Sequence, residues 1–146
     1  MNRVASVNRT TKETDIQVAI NIDGTGKSEI NTGIGFFDHM LEGFAKHGFF
    51  DLTMIVKGDL QVDGHHTVED AGIVLGNAIK DAIGDKAGIA RYGSFILPMD
   101  DALALCAVDL CGRPYFSFEC NFDVPMVGDF DTQLVREFGD SVSDSA

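Results

Sequence analysis

Positive charge is scarce in this sequence. Lys and Arg number 11 against 23 Asp and Glu, for a formal net charge of −12. A nucleic-acid-binding fold needs a basic face, and this composition argues against one. Any anion must be held by a few local basic residues on an otherwise acidic, soluble protein. Cysteine is scarce too. Cys106, Cys111 and Cys120 are odd in number and form no CxxC pair, which argues against a disulfide framework or a zinc ribbon. Buried free thiols in a reducing compartment are expected instead. No apolar run approaches the roughly 20 residues of a membrane span. The opening MNRVASVNRT has no apolar h-region. A cytoplasmic protein without a membrane partner is expected. There is also no GxSxG, Walker loop or GxGxxG, so nucleophile-based and nucleotide-based enzymes gain no support.

What is present suffices for one real core: 146 residues, 45% of them hydrophobic. Residues 3–10 and 14–22 read as strands. In the second, Ile16, Val18, Ile20 and Ile22 alternate with Gln17, Ala19 and Asn21. Asp23-Gly24 marks a turn. At 36–47 the period becomes helical, with Phe36, Phe37, Met40, Leu41 and Phe44 as the stripe and Gly48 as the stop. Residues 50–57 alternate again. A long helix is expected over about 67–83, with Thr67 and Asp70 as its capping box. Three strands, at 93–98, 102–110 and 114–122, precede a last helix beginning over 130–138. This order predicts two layers, a sheet with helices on one face. A faint echo links Phe37-Asp38-His39-Met40-Leu41 with Phe130-Asp131-Thr132-Gln133-Leu134.

The chemistry-bearing run is Asp63-Gly64-His65-His66-Thr67-Val68-Glu69-Asp70. On a helix His65 and Glu69 are i,i+4 and His66 and Glu69 are i,i+3, so the side chains converge. At ~100° per residue their face lies about 125° from the apolar stripe, so they do not fill the core. Two imidazoles and a carboxylate suit Mn, Fe or Zn. The two rings point apart, which favours one ligand for each of two metals. The bland alternative is a solvated helix start. His39 lies on the polar side of its helix; His47, near the stripe's edge, reads as packed or capping. Arg91 and Arg113 sit in Gly-flanked turns, where a guanidinium fork can reach an anion. Glu13, at a strand start, is by itself only a charged residue.

Together these segments resemble the imidazoleglycerol-phosphate dehydratase family. The runs NRTTKET (8–14), NTGIGFFDHML (31–41), GDL (58–60) leading into DGHHTVED (63–70), GIAR (88–91), PMDDA (98–102) and VDLCGRP (108–114) match it in order and spacing. The resemblance covers residue 3 to about 138. It implies an α+β fold of tandem β-α two-layer sandwich repeats, like the second domain of ribosomal protein S5. Residues 1–92 would form the first repeat and 93–146 an incomplete second. It implies a manganese lyase of histidine biosynthesis that dehydrates imidazole glycerol phosphate to imidazole acetol phosphate. Two Mn(II) ions would lie at each site between subunits, which assemble as trimers and then as a closed shell of twenty-four. By the same resemblance His39, His65, His66 and Glu69 are metal ligands and Glu13 is the acid/base. Arg91 and Arg113 contact the substrate phosphate, and the segment from His39 to His47 lines the substrate site beside His65, His66 and Glu69. The substrate's imidazole, held as imidazolate between two ions, would let the ring-side hydroxyl leave before the neighbouring carbon loses its proton.

One departure matters. Family members carry a second His-His-x-x-Glu helix and a basic phosphate-binding end, and neither is present here. The expectation is a chain lacking its last quarter, with about half of its metal ligands, weak metal sites and little turnover. Gly139 to Ala146 lacks an apolar continuation, and an unfinished repeat exposes apolar surface. A non-catalytic metal-binding or assembly protein of the same fold is the alternative. An RNA-contacting module is disfavoured by the charge.

Overall fold

The computed structural model describes residues 3–146; the first two residues of the expected 1–92 unit lie outside this range. Four strands form one sheet in the order β1-β2-β4-β3: β1 Val4–Thr10, β2 Thr14–Asn21, β3 Ser28–Asn31 and β4 Asp51–Gly58. β2 pairs antiparallel with both β1 and β4. β3 runs parallel to β4, which requires a crossover, and helix α1 (Gly35–Gly48) supplies it. The register sets Ile16 against Val56, Val18 against Met54 and Ile20 against Leu52. All six are buried, so the alternation read from the sequence points one apolar face at the helices.

β3 has no counterpart in the sequence reading. It is a short, largely exposed edge strand whose one apolar residue, Ile30, leaves no alternation to detect. The loop before it is tied down by Asp51. Its Oδ1 accepts from the backbone N–H groups of Thr25 (2.8 Å) and Lys27 (3.0 Å). These bonds hold the Asp51 carboxyl below its ordinary pKa.

α1 buries Phe37, Leu41 and Ala45, one per turn. Met40 and Phe44, expected in the stripe, are 47% and 39% exposed. The helix ends at Gly48, but the left-handed residue is Phe49 (φ 58°). Gly48 is needed for space: a Cβ there would come within 2.5 Å of the Phe50 ring.

α2 (His65–Ile83) starts two residues before the expected position. Asp63, not a Thr67–Asp70 box, receives the first free N–H, that of His65, at 2.8 Å. Thr67 lies inside the helix, buried, its hydroxyl against Gly58. Gly64 sits against Ile34 and Leu134, which anchors the helix start to the core.

The expected strand at 114–122 does not form. Phe116 instead slides beneath Gly139, where a Cβ would meet its ring at 2.5 Å, and Ser143 Oγ donates to the Tyr115 carbonyl (2.9 Å). The captor is α3 (Leu134–Ser145), which continues past Gly139 although residues 139–146 lack the apolar continuation expected of a helix. It packs backbone to backbone on α2 at Gly72 and Gly76. A Cβ on Gly76 would lie 2.7 Å from both Ser145 Cβ and the Val142 carbonyl oxygen. The two halves of the sequence echo meet in the core: Phe37 and Phe130 stack at 5.8 Å, and Leu41 and Leu134 are both buried.

Between α2 and α3 the chain forms an antiparallel hairpin, β5 (Tyr92–Met99) with β6 (Ala102–Asp109), and two short bridging strands, β7 (Met126–Val127) and β8 (Phe130–Asp131). Every residue of the hairpin is exposed. This overturns the expectation of buried thiols: Cys106 and Cys120 are free but exposed, because nothing covers the elements that carry them. Among the described residues no helix is long and apolar enough to cross a membrane. The result is a two-layer α+β fold, complete in its first sheet and open in its second.

Candidate functional site

The start of α2 gathers the titratable side chains. His65 Nε2 lies 3.3 Å from Glu69 Oε2, as one helical turn dictates. Both side chains are a little under half exposed. His66 turns the other way, its ring at 86° to that of His65 with centroids 6.3 Å apart. Its Nδ1 faces Asp59 Oδ2 at 2.8 Å. Asp59 follows the last residue of β4, and its carboxylate is only 14% exposed. A carboxylate on Nδ1 fixes the tautomer and leaves Nε2 free to act as a ligand.

The hydrogen bond to Asp59 is the main cause raising the His66 pKa. The charges of Asp59, Glu13 and Asp63 add to it, and partial desolvation opposes it. Glu13 sits in the exposed turn between β1 and β2, where its N–H donates to Thr11 Oγ1 (3.1 Å).

The other expected residues stand apart. His39 is exposed on the polar side of α1, and no hydrogen bond or ion pair among the described residues joins it to His65, His66 or Glu69. His47 is exposed in the last turn of α1, so it is not packed at the stripe's edge. Arg91 is gripped by Asp109, with Nε to Oδ1 at 2.7 Å and Nη2 to Oδ2 at 3.1 Å, and lies over the Tyr92 ring. The pair raises the Arg91 pKa and lowers that of Asp109. Arg113 is exposed in the turn after β6. Among the described residues no three His, Cys, Asp or Glu side chains converge as a metal site.

Sequence reasoning passed over Asp59 as a partner of His66 and gave Asp70 the wrong one. The available signal was the acidic residue directly after a strand, seven positions before a histidine.

The model of one family, imidazoleglycerol-phosphate dehydratase, matches residues 32–146. The chain belongs to the imidazoleglycerol-phosphate dehydratase family. It is 62% identical over 146 residues to the imidazoleglycerol-phosphate dehydratase of Lachnoclostridium phytofermentans, covering all of this chain and 74% of that protein. The Acetivibrio thermocellus enzyme is 58% identical over the same span, covering 75% of its length. Among solved structures, the Staphylococcus aureus dehydratase superposes with a TM-score of 0.86 at 39% identity, over 97% of this chain and 78% of that one. The Pyrococcus furiosus enzyme, solved in complex with (S)-C348, gives 0.81 at 37% identity, over 95% and 73%. The dehydratase fold is thus shared across nearly the whole chain.

Proposed function

We propose that the chain carries its family's reaction, dehydration of imidazole glycerol phosphate to imidazole acetol phosphate, as a cytoplasmic step of histidine biosynthesis, with turnover held low by weak metal sites. One observation carries the reading within the dehydratase family: the start of α2 presents the His65–Glu69 pair and, turned the other way, His66 held on its Nδ1 by Asp59. The substrate loses a hydroxyl from the carbon beside its ring and a hydrogen from the next carbon. Water leaves, and the enol becomes a ketone. The first needs a proton delivered and the second a proton taken. Glu13, exposed in the turn between β1 and β2, would serve both.

The donors fit a manganese ion in kind. An imidazole and a carboxylate 3.3 Å apart form a chelating pair. His65 and Glu69 would hold one ion, His66 a second through Nε2, and His39 would add a further donor. Such ions supply Lewis acidity and a fixed seat for the azole ring. Among the described residues one chain offers too few converging donors, so the proposal includes a homo-oligomer in which donors from further copies of the chain add to the site. Arg113 takes the phosphate, and Arg91 joins it by exchanging Asp109 for the substrate's oxygens, since both present a planar pair of acceptors.

The test is turnover of imidazole glycerol phosphate with Mn(II), following formation of the ketone. Glu13→Gln should lower kcat by about 10²–10⁴ while leaving the fold intact. Equal turnover by wild type and Glu13→Gln would remove the acid/base assignment. Manganese uptake without any turnover would favour the non-catalytic metal-binding alternative.

A further inference from the structure

Asp70 adjoins Glu69, but its carboxylate is bound on the side of the sheet. Oδ2 accepts from Thr14 Oγ1 at 2.5 Å, and Oδ1 lies 2.7 Å from Arg9 Nη1 as an ion pair. Arg9 is the penultimate residue of β1 and Thr14 opens β2, so the two contacts straddle the turn that carries Glu13. The path continues inside the turn. Thr14 Oγ1 lies 3.2 Å from Thr11 Oγ1, which accepts from the N–H groups of Glu13 (3.1 Å) and Thr14 (3.0 Å). The Thr11 N–H in turn donates to the Thr14 carbonyl at 2.8 Å. Thr14 is 3% exposed and the Asp70 side chain 13%, so water competes little for the Thr14–Asp70 bond.

We infer that Asp70 is a positioning residue: through Thr14 and the Thr11 turn it holds the backbone of Glu13, and with it the Glu13 carboxylate, in place between β1 and β2. The inference rests on the reading of Glu13 as the acid/base. A carboxylate is required because one oxygen accepts from a hydroxyl while the other faces a guanidinium. An amide could not serve both without turning an N–H toward Arg9 or Thr14. A purely structural staple between hairpin and helix would use the same atoms, so the test must separate positioning from stability.

Asp70→Asn is compared with wild type by amide hydrogen exchange and by kinetics with Mn(II) and imidazole glycerol phosphate. Exchange at the Glu13 and Thr14 amides is expected to rise about tenfold or more, with the β2–β4 ladder unchanged. Thr14→Val should reproduce this and Thr14→Ser should not, because serine keeps the hydroxyl. kcat should fall about tenfold with KM nearly constant, and the double variant with Glu13→Gln should be no slower than Glu13→Gln alone. Unchanged exchange at Glu13, or losses that multiply in the double variant, would overturn the inference. Equal turnover by wild type and Glu13→Gln instead sinks the acid/base reading; the exchange result then still decides whether Asp70 holds the turn.

Discussion

The β2–β4 pair and the β5–β6 hairpin are alike in sequence and opposite in environment. Both are antiparallel eight-residue strands rich in Ile, Leu, Met and Val. In the first, every second side chain is buried under α1 and α2. In the second no residue is buried, and Leu103 and Leu105 are 72% and 73% exposed. Alternation makes a sheet capable of having an inner face; a second layer must arrive to create one. α2 and α3 pack closely on each other through Gly72 and Gly76, and among the described residues neither packs extensively against the hairpin.

The largest expected difference tests that contrast directly. Met54→Ala, at a fully buried site, should cost about 2–5 kcal/mol in denaturant unfolding. Leu105→Ala on the hairpin should fall within about 0.5 kcal/mol of wild type. Comparable losses at the two sites would mean that the hairpin is covered in solution. Next in size, Gly76→Ala drives a methyl into α3 and should cost about 1–3 kcal/mol by overpacking. A neutral result would show that α2 and α3 do not touch there.

The smallest effect is pH-dependent. The Asp51 carboxyl is held low by the Thr25 and Lys27 N–H groups, so its contribution is present above the ordinary carboxylate pKa and is lost as pH falls through the lowered folded value. Stability curves of wild type and Asp51→Asn should separate above about pH 4 and converge in stronger acid. Asp109 is also held low, by Arg91, but on the uncovered hairpin. Asp109→Asn should leave the global unfolding curve nearly unchanged. A shift as large as that of Asp51→Asn would erase the distinction between the two regions.

The same contrast explains what could be read in advance. β2, β4 and α2 were legible because their periods coincide with real burial. β3 was not, since Ile30 alone carries no period. The strand expected at 114–122 had suitable residues but lost Phe116 to the groove at Gly139, a tertiary choice that no local pattern encodes. The donor run from His65 to Glu69 was legible because helix geometry alone brings i and i+4 together. Asp59 and Thr14 were not, because their approach to His66 and Asp70 depends on how β4 and β2 lie against α2. Arg91 was legible as an anion-seeking group, but its present anion is Asp109 of the same hairpin.

The account turns on His65 and Glu69 acting as a pair of donors for one ion. The direct measurement is Mn(II) uptake, followed by loss of the free-ion electron paramagnetic resonance signal, in wild type, His65→Ala and Glu69→Gln. The wild-type chain should take up manganese, and each substitution should weaken uptake about 10-fold or more while the thermal transition stays in place. Uptake unchanged by either substitution would contradict the account.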